Sequence, residues 1–238
     1  MSQAAVLAGV DGCPKGWICL TRDSETRAIT SRVFPSAKAL YAQEPAPRVL
    51  CIDIPIGLTD SGARQADVAA RACLGSKRAS SVFPSPIRPA LEGRDYADAT
   101  ARHKAGDGRG ISKQAFAIYP KIREVDRELQ LDAALAERVR EVHPEVCFWA
   151  WNHGVPLEHG KKTMEGQQIR RELIAKTFGP EAFAKVRAAH PRSEASDDDI
   201  TDAFAALRTA MRIDSGESQT LPSRVPRDRF GLRMEMCY

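Results

Sequence analysis

The sequence predicts an α/β fold built on a mixed five-stranded sheet, ordered 3-2-1-4-5, with helices on both faces. Three observations lead to it. Three strand-like runs follow one another near the start with only tight turns between them, which makes an antiparallel meander. A short helical stretch then separates the third run from a fourth, strongly apolar one, and a helix between strands carries the chain to a parallel neighbour. Further helical stretches flank a fifth run and close the chain.

Residues 5–12 (AVLAGVDG) and 17–22 (WICLTR) are the first two strands, joined at Cys13-Pro14-Lys15-Gly16, where proline and glycine favour a tight turn. Residues 28–34 (AITSRVF) form the third strand, 37–43 a short helix, and 48–58 (RVLCIDIPIGL) the fourth strand. Residues 60–135 interrupt this pattern as a helical insertion, with helices at 64–74, 96–105 and 113–131 and Pro/Gly-rich loops between them. A fifth strand is expected within 138–149, broken near His143-Pro144, since proline is confined to strand ends or edges. Residues 164–178 and 180–189 read as helices. The last helix, 198–212, is capped by Ser196, and aspartates in its first turn suit the helix dipole. The tail from Ser215 to residue 238 is expected to be irregular.

A length of 238 residues fits one large domain with an insertion. With 43% hydrophobic and 28% charged residues, the composition is that of a soluble globular protein rather than a disordered chain. No apolar run approaches the roughly 20 residues a membrane helix needs. No basic-then-apolar leader opens the sequence, so secretion is not expected. The six cysteines form no C-x-x-C pair and several sit in apolar runs, which points to reduced core residues, no zinc site and a cytoplasmic protein. The net charge is only +4, yet residues 60–127 carry 13 Lys and Arg against 8 Asp and Glu. That excess suits a polyanionic substrate, and it equally suits a solvated helical surface.

The most informative feature is the acidic run Asp197-Asp198-Asp199-Ile200-Thr201-Asp202, together with lone aspartates that end two apolar runs, Asp11 and Asp53. An apolar run before a lone carboxylate reads as a buried strand delivering that group to its tip. Asp199 and Asp202, three apart, share one helix face. Carboxylates gathered in this way repel one another and call for a cation, and hard oxygen ligands favour Mg2+ or Mn2+. Each acid also has a plainer explanation: Asp11 as a turn residue, Asp53 as an acceptor of backbone hydrogen bonds, and Asp197 to Asp199 as capping residues. Asp202, one turn inside the helix and followed by small residues, is the hardest to explain that way.

Other residues join this set with two readings each. Glu141, His143 and Glu145 flank the proline break, as further acids and a base or as strand-end charges and a hydrogen-bonded structural histidine. Lys161 and Lys162 suit phosphate contact as point charges, or ordinary loop positions. Arg78, Ser80 and Ser81 offer a cation and two hydroxyls in one loop, for a phosphate or for local backbone. Lys121 lies on a helix of the basic insertion and is a candidate contact to substrate.

The element order, with acids after strands one and four and on the last helix, resembles the ribonuclease-H-like fold. Asp199 and Asp202 resemble the D-x-x-D-A of the terminal helix in Holliday-junction resolvases. More closely, GVDGCPKGW, IDIPIGL, ARACLGSKRASSVFPSPIR, ISKQAFAIYPKIREVD, EVHPEVCFW, KKTMEGQQIR and DDDITDAFAA together resemble domain-of-unknown-function family 429, across residues 6–212. That family is described as predicted ribonuclease-H-like nucleases. The resemblance implies a metal-dependent hydrolase cleaving nucleic acid with Asp11, Asp53, Asp199 and Asp202 as ligands of two divalent ions. Nucleic acid would be gripped by its backbone, without sequence preference. Two alternatives remain at this point: a non-catalytic metal or small-ligand binding protein on the same fold, and a phosphotransferase or ATPase of the actin-like superfamily. Neither RNA nor DNA is favoured, and no oligomeric state is predicted.

Overall fold

The computed structural model describes residues 5–238, so the first four residues, on which the expectation of no leader partly rests, lie outside it. β1 (Val6–Cys13), β2 (Gly16–Asp23) and β3 (Ile29–Phe34) form the meander. Gly16 has a φ of +127°, and a Cβ there would fall 2.1 Å from the Phe34 carbonyl oxygen, so only glycine fits this turn. α1 (Ala37–Tyr41), capped by the Ser36 side chain on the Ala39 amide, carries the chain over to β4 (Val49–Ile52). β4 runs parallel to β1, and β5 (Val139–Glu141) runs parallel to β4, giving the expected order β3-β2-β1-β4-β5.

The connection from β4 to β5 contains helices only. These are α2 (Gln65–Arg78), a 3-10 turn over Ala79–Ser81, α3 (Arg88–Leu91), α4 (Tyr96–Asp107), α5 (Lys113–Ala117), α6 (Tyr119–Leu131) and α7 (Ala133–Arg138). The single helix expected over 113–131 is two, because Pro120 sits in the first turn of α6, a position that suits its fixed φ and missing N–H.

The larger correction concerns 138–149. Only three residues are strand, and Pro144 begins a helix, α8 (Pro144–Trp151). An apolar run such as VCFWA reads equally as buried strand or buried helix, and proline at the first helical position decides it here. α9 (Met164–Phe178), α10 (Ala182–Ala189) and α11 (Asp197–Asp214) follow. The tail is more ordered than expected. β6 (Thr220–Leu221) pairs antiparallel with β7 (Met236–Cys237), and Leu232, Met234 and Met236 are buried.

Side chains alternate across the sheet with period two. Val10, Trp17, Cys19, Leu50 and Ile52 face a core shared with α1 and α6. Leu7, Ile18, Leu20, Val49 and Cys51 face a second core, shared with α8 and α11. The same alternation sends Asp11 and Asp53 to the α11 face. No helix among the described residues is long and apolar enough to cross a membrane.

Candidate carboxylate site

Val10 and Ile52 are partners in the parallel β1–β4 ladder, and the Asp53 amide donates to the Val10 carbonyl at 3.1 Å. The next residue on β1 is Asp11, so Asp11 and Asp53 stand side by side at the same end of neighbouring strands. Asp11 is buried, 8% exposed, and Asp53 is half-buried. Among the described residues none donates a hydrogen bond to either carboxylate.

α11 brings the other acids. Its Ser196 cap accepts from the Asp199 amide at 3.2 Å, and the Asp199 carboxylate accepts from the Ser196 amide at 2.8 Å. In this capping box Asp199, one of the three aspartates with a capping reading, takes that role. Asp197 instead pairs with Arg171, Arg187 and Arg192 at 2.9, 3.0 and 3.2 Å. One turn further in, Asp202 is 3% exposed and accepts a hydrogen bond from Lys161 Nζ at 2.8 Å. Its neighbours Ala203, Phe204, Ala205 and Ala206 are wholly buried, so the helix is fixed against the sheet.

These charges act on one another. Burial, followed by the charges of Asp202, Asp53 and Asp199, raises the Asp11 pKa well above the usual carboxylate range, with Lys161 opposing. Burial pushes Asp53 up to about 7 and Asp202 up to about 6, again against Lys161. Burial works against the Lys161 ammonium, but Asp202, Asp11 and Asp53 outweigh it and hold its pKa above the ordinary value.

Asp11, Asp53, Asp202 and Lys161 therefore form one electrostatic unit, with Asp199 within reach of Asp11. Among the described residues, no three His, Cys, Asp or Glu side chains are grouped so as to hold a metal ion by themselves. The donor set nevertheless fits a hard cation. Two carboxylates lack protein donors, and magnesium is commonly held by one or two carboxylates together with substrate phosphate and water.

Glu145 on α8 lies beside this unit. It pairs with the buried Arg170 at 2.5 Å, and its charge acts on Asp202. His143 Nε2 lies 3.2 Å from the Ser81 carbonyl, while Nδ1 is buried with no partner among the described residues. Burial lowers the His143 pKa, with Glu145 and Asp202 opposing.

Glu141 is not brought into the set. Its oxygens accept from Arg64 at 2.5 and 2.6 Å and from the Ile56 amide at 2.6 Å, and Arg64 also holds Asp67. This fully buried network ties β5 to α2.

Arg78 donates to the Leu157 and Glu158 carbonyls at 2.9 and 2.6 Å, which makes it a brace for the loop before α9. Ser80 is exposed in the 3-10 turn, and Ser81 is half-buried. Lys121 donates to the Gly16 carbonyl, lies 4.3 Å from the Trp17 ring centre and packs against Gly12, beside Asp11. Lys162 is exposed.

Sequence reasoning missed Arg64 and Arg170. Both lie in segments read as ordinary helix, and nothing in a helical pattern marks which arginine turns inward.

The family described as Protein of unknown function (DUF429) matches residues 9–227. No curated protein and no solved structure matches the chain.

Proposed function

The chain belongs to the DUF429 family, and from that premise we propose that it is a metal-dependent nuclease hydrolysing phosphodiester bonds of nucleic acid at the carboxylate site. The observation that carries this reading is the pairing of Asp11 with Asp53 at the ends of adjacent parallel strands, on the face where α11 presents Asp202. That arrangement of rigid elements sets two carboxylates without protein donors side by side, in the field of Asp202. The sheet order and the position of the acids are also those expected of a ribonuclease-H-like hydrolase.

In this reading Asp11 and Asp53 hold Mg2+ or Mn2+, with Asp202 and Asp199 completing the negative field. A bound divalent ion supplies Lewis acidity toward the phosphate and lowers the pKa of an attacking water. The protein's own groups do the rest. The strands and α11 fix the carboxylates before substrate arrives, so little reorganisation is needed when charge develops. Lys162 is free to meet the phosphate backbone, and Lys121 stands beside the strand tip. Contacts of this kind position a strand without reading its sequence. The reading includes a cytoplasmic location, which the six free cysteines support.

A second reading, a non-catalytic metal or small-ligand binding protein, is favoured by one observation. Lys161 already neutralises Asp202, and no three acids are grouped as a metal site. Incubation of wild type and Asp11→Asn with single-stranded, duplex and branched DNA and RNA, with Mg2+ or Mn2+, separates the two. Cleavage by wild type that Asp11→Asn loses supports the nuclease. Equal activity in both proteins, or none in either, removes it.

A further inference from the structure

We propose that Lys161 is a built-in cation of this site: its ammonium takes the place of one of the two divalent ions that the family resemblance implies, so the site binds a single ion. The inference rests on the reading of the carboxylates as a cation site.

Lys161 is placed by architecture rather than by chance. The three residues that lead into Gly160 and Lys161 are held by arginines. Arg78 on α2 binds the Leu157 and Glu158 carbonyls, and Arg170 on α9 binds the His159 carbonyl at 3.2 Å. Arg170 is 1% exposed and is anchored in turn by Glu145 at 2.5 Å. Thr163 closes the loop, capping α9 through the Gly166 amide at 3.1 Å. The loop also lies directly on α9: a Cβ at Gly166 would fall 2.0 Å from the Gly160 carbonyl oxygen. A freely moving lysine needs none of this support.

What the loop delivers is a positive charge 2.8 Å from Asp202 and within the field of Asp11 and Asp53. A cation already in contact with one acid repels a divalent ion at that acid and leaves Asp11 and Asp53 for the ion. Two further observations show that Lys161 does not complete the site. Among the described residues, Asp11, more than nine-tenths buried, has no donor, and His143 Nδ1, in the field of Asp202 and Lys161, is buried without a partner. Each is an unmet polar group that one ligand from outside the chain would satisfy.

The experiment counts ions. Mn2+ binding to the full chain is measured by titration calorimetry and by electron paramagnetic resonance of free Mn2+, without substrate, for wild type, Lys161→Met and Lys161→Arg. Wild type is expected to bind one ion. Lys161→Met should bind two, or one at least about tenfold tighter, because a repelling charge has gone. Lys161→Arg, which keeps the charge, should bind one. Two ions on wild type, no ion on wild type, or the same count and affinity for Met and wild type would each overturn the proposal. If Lys161→Met fails to fold, Lys161→Gln takes its place under the same criteria. The count does not depend on cleavage, so the nuclease reading stands or falls separately by the Asp11→Asn assay.

Discussion

Gly9 of β1 lies so close to Leu207 of α11 that a Cβ on the glycine would fall 2.1 Å from the Leu207 amide nitrogen and 2.4 Å from the Ala203 carbonyl oxygen. No side chain fits between strand and helix at this level. The contact sets the height of α11 over the sheet, and with it the position of Asp202 opposite Asp11. Gly9→Ala should therefore destabilise the protein by about 1–3 kcal/mol or more, the range for overpacked cores. It should also weaken Mn2+ binding, since the helix must shift. Urea unfolding and a Mn2+ titration read both effects; a stable variant with unchanged binding would show that the helix height does not set the site.

Asp11→Asn removes one of the two acids that have no donor among the described residues, the one that sits among Asp202, Asp53 and Asp199. The metal-free variant should be as stable as wild type or more so, because repulsion falls while shape is kept. Its stabilisation by Mg2+ should disappear. Thermal melts with and without 10 mM-scale Mg2+, on the order of typical weak-site occupancies, measure both. A large loss of metal-free stability would mean that Asp11 has a structural partner.

The pKa shifts fix the sign of the pH dependence without metal. Asp53, raised to about 7, Asp202, raised to about 6, and Asp11, also raised, favour their neutral forms in the folded state. Their contribution is fully present below the unfolded carboxylate pKa, roughly 4, and is lost as pH rises through the folded values. His143 has the opposite sign: its lowered pKa costs stability as pH falls below its ordinary value. With three acids against one histidine, metal-free stability should decline from about pH 4–5 up through about pH 7. Saturating Mg2+ should flatten that decline. Chemical denaturation at a series of pH values tests it, and a rising profile would contradict it.

Glu141 and Arg64 should behave as structure, not as site. Arg64→Met strands a buried carboxylate and should cost about 3–5 kcal/mol. Glu141→Gln keeps the shape and should leave cleavage intact at temperatures where it is folded. Loss of activity in folded Glu141→Gln would return this acid to the site.

Two basic residues separate by the same logic. Lys162 is exposed and has no structural task, so Lys162→Gln should lower the log–log salt slope of nucleic-acid binding by about one. Arg78 is committed to the Leu157 and Glu158 carbonyls, so Arg78→Gln should mainly lower stability, by about 0.5–1.5 kcal/mol for each hydrogen bond lost. Binding measured from 50 to 200 mM salt, the range over which such slopes are read, distinguishes the two.

The sequence by itself determined the sheet. Period-two apolar runs, a proline–glycine turn and one crossover helix leave few ways to arrange five strands, and the order 3-2-1-4-5 is observed. It also marked Asp11, Asp53 and Asp202, because an acid ending an apolar run or set within a buried helix has few structural excuses. What it did not determine is where local patterns are degenerate. The run VCFWA fits strand or helix equally, and the first-turn proline of α8 made it helix. Glu141 and Glu145, four residues apart and alike in sequence, part company because Arg64 and Arg170 approach from separate helices. Lys161 and Lys162 are likewise indistinguishable as neighbours. Only the packing of the Gly160 loop against Gly166 and the two arginine braces directs one of them to Asp202 and leaves the other in solvent. Strand tips are fixed by local periodicity, whereas the partners of buried charges depend on contacts between residues far apart in the chain, and those exist only in the folded protein.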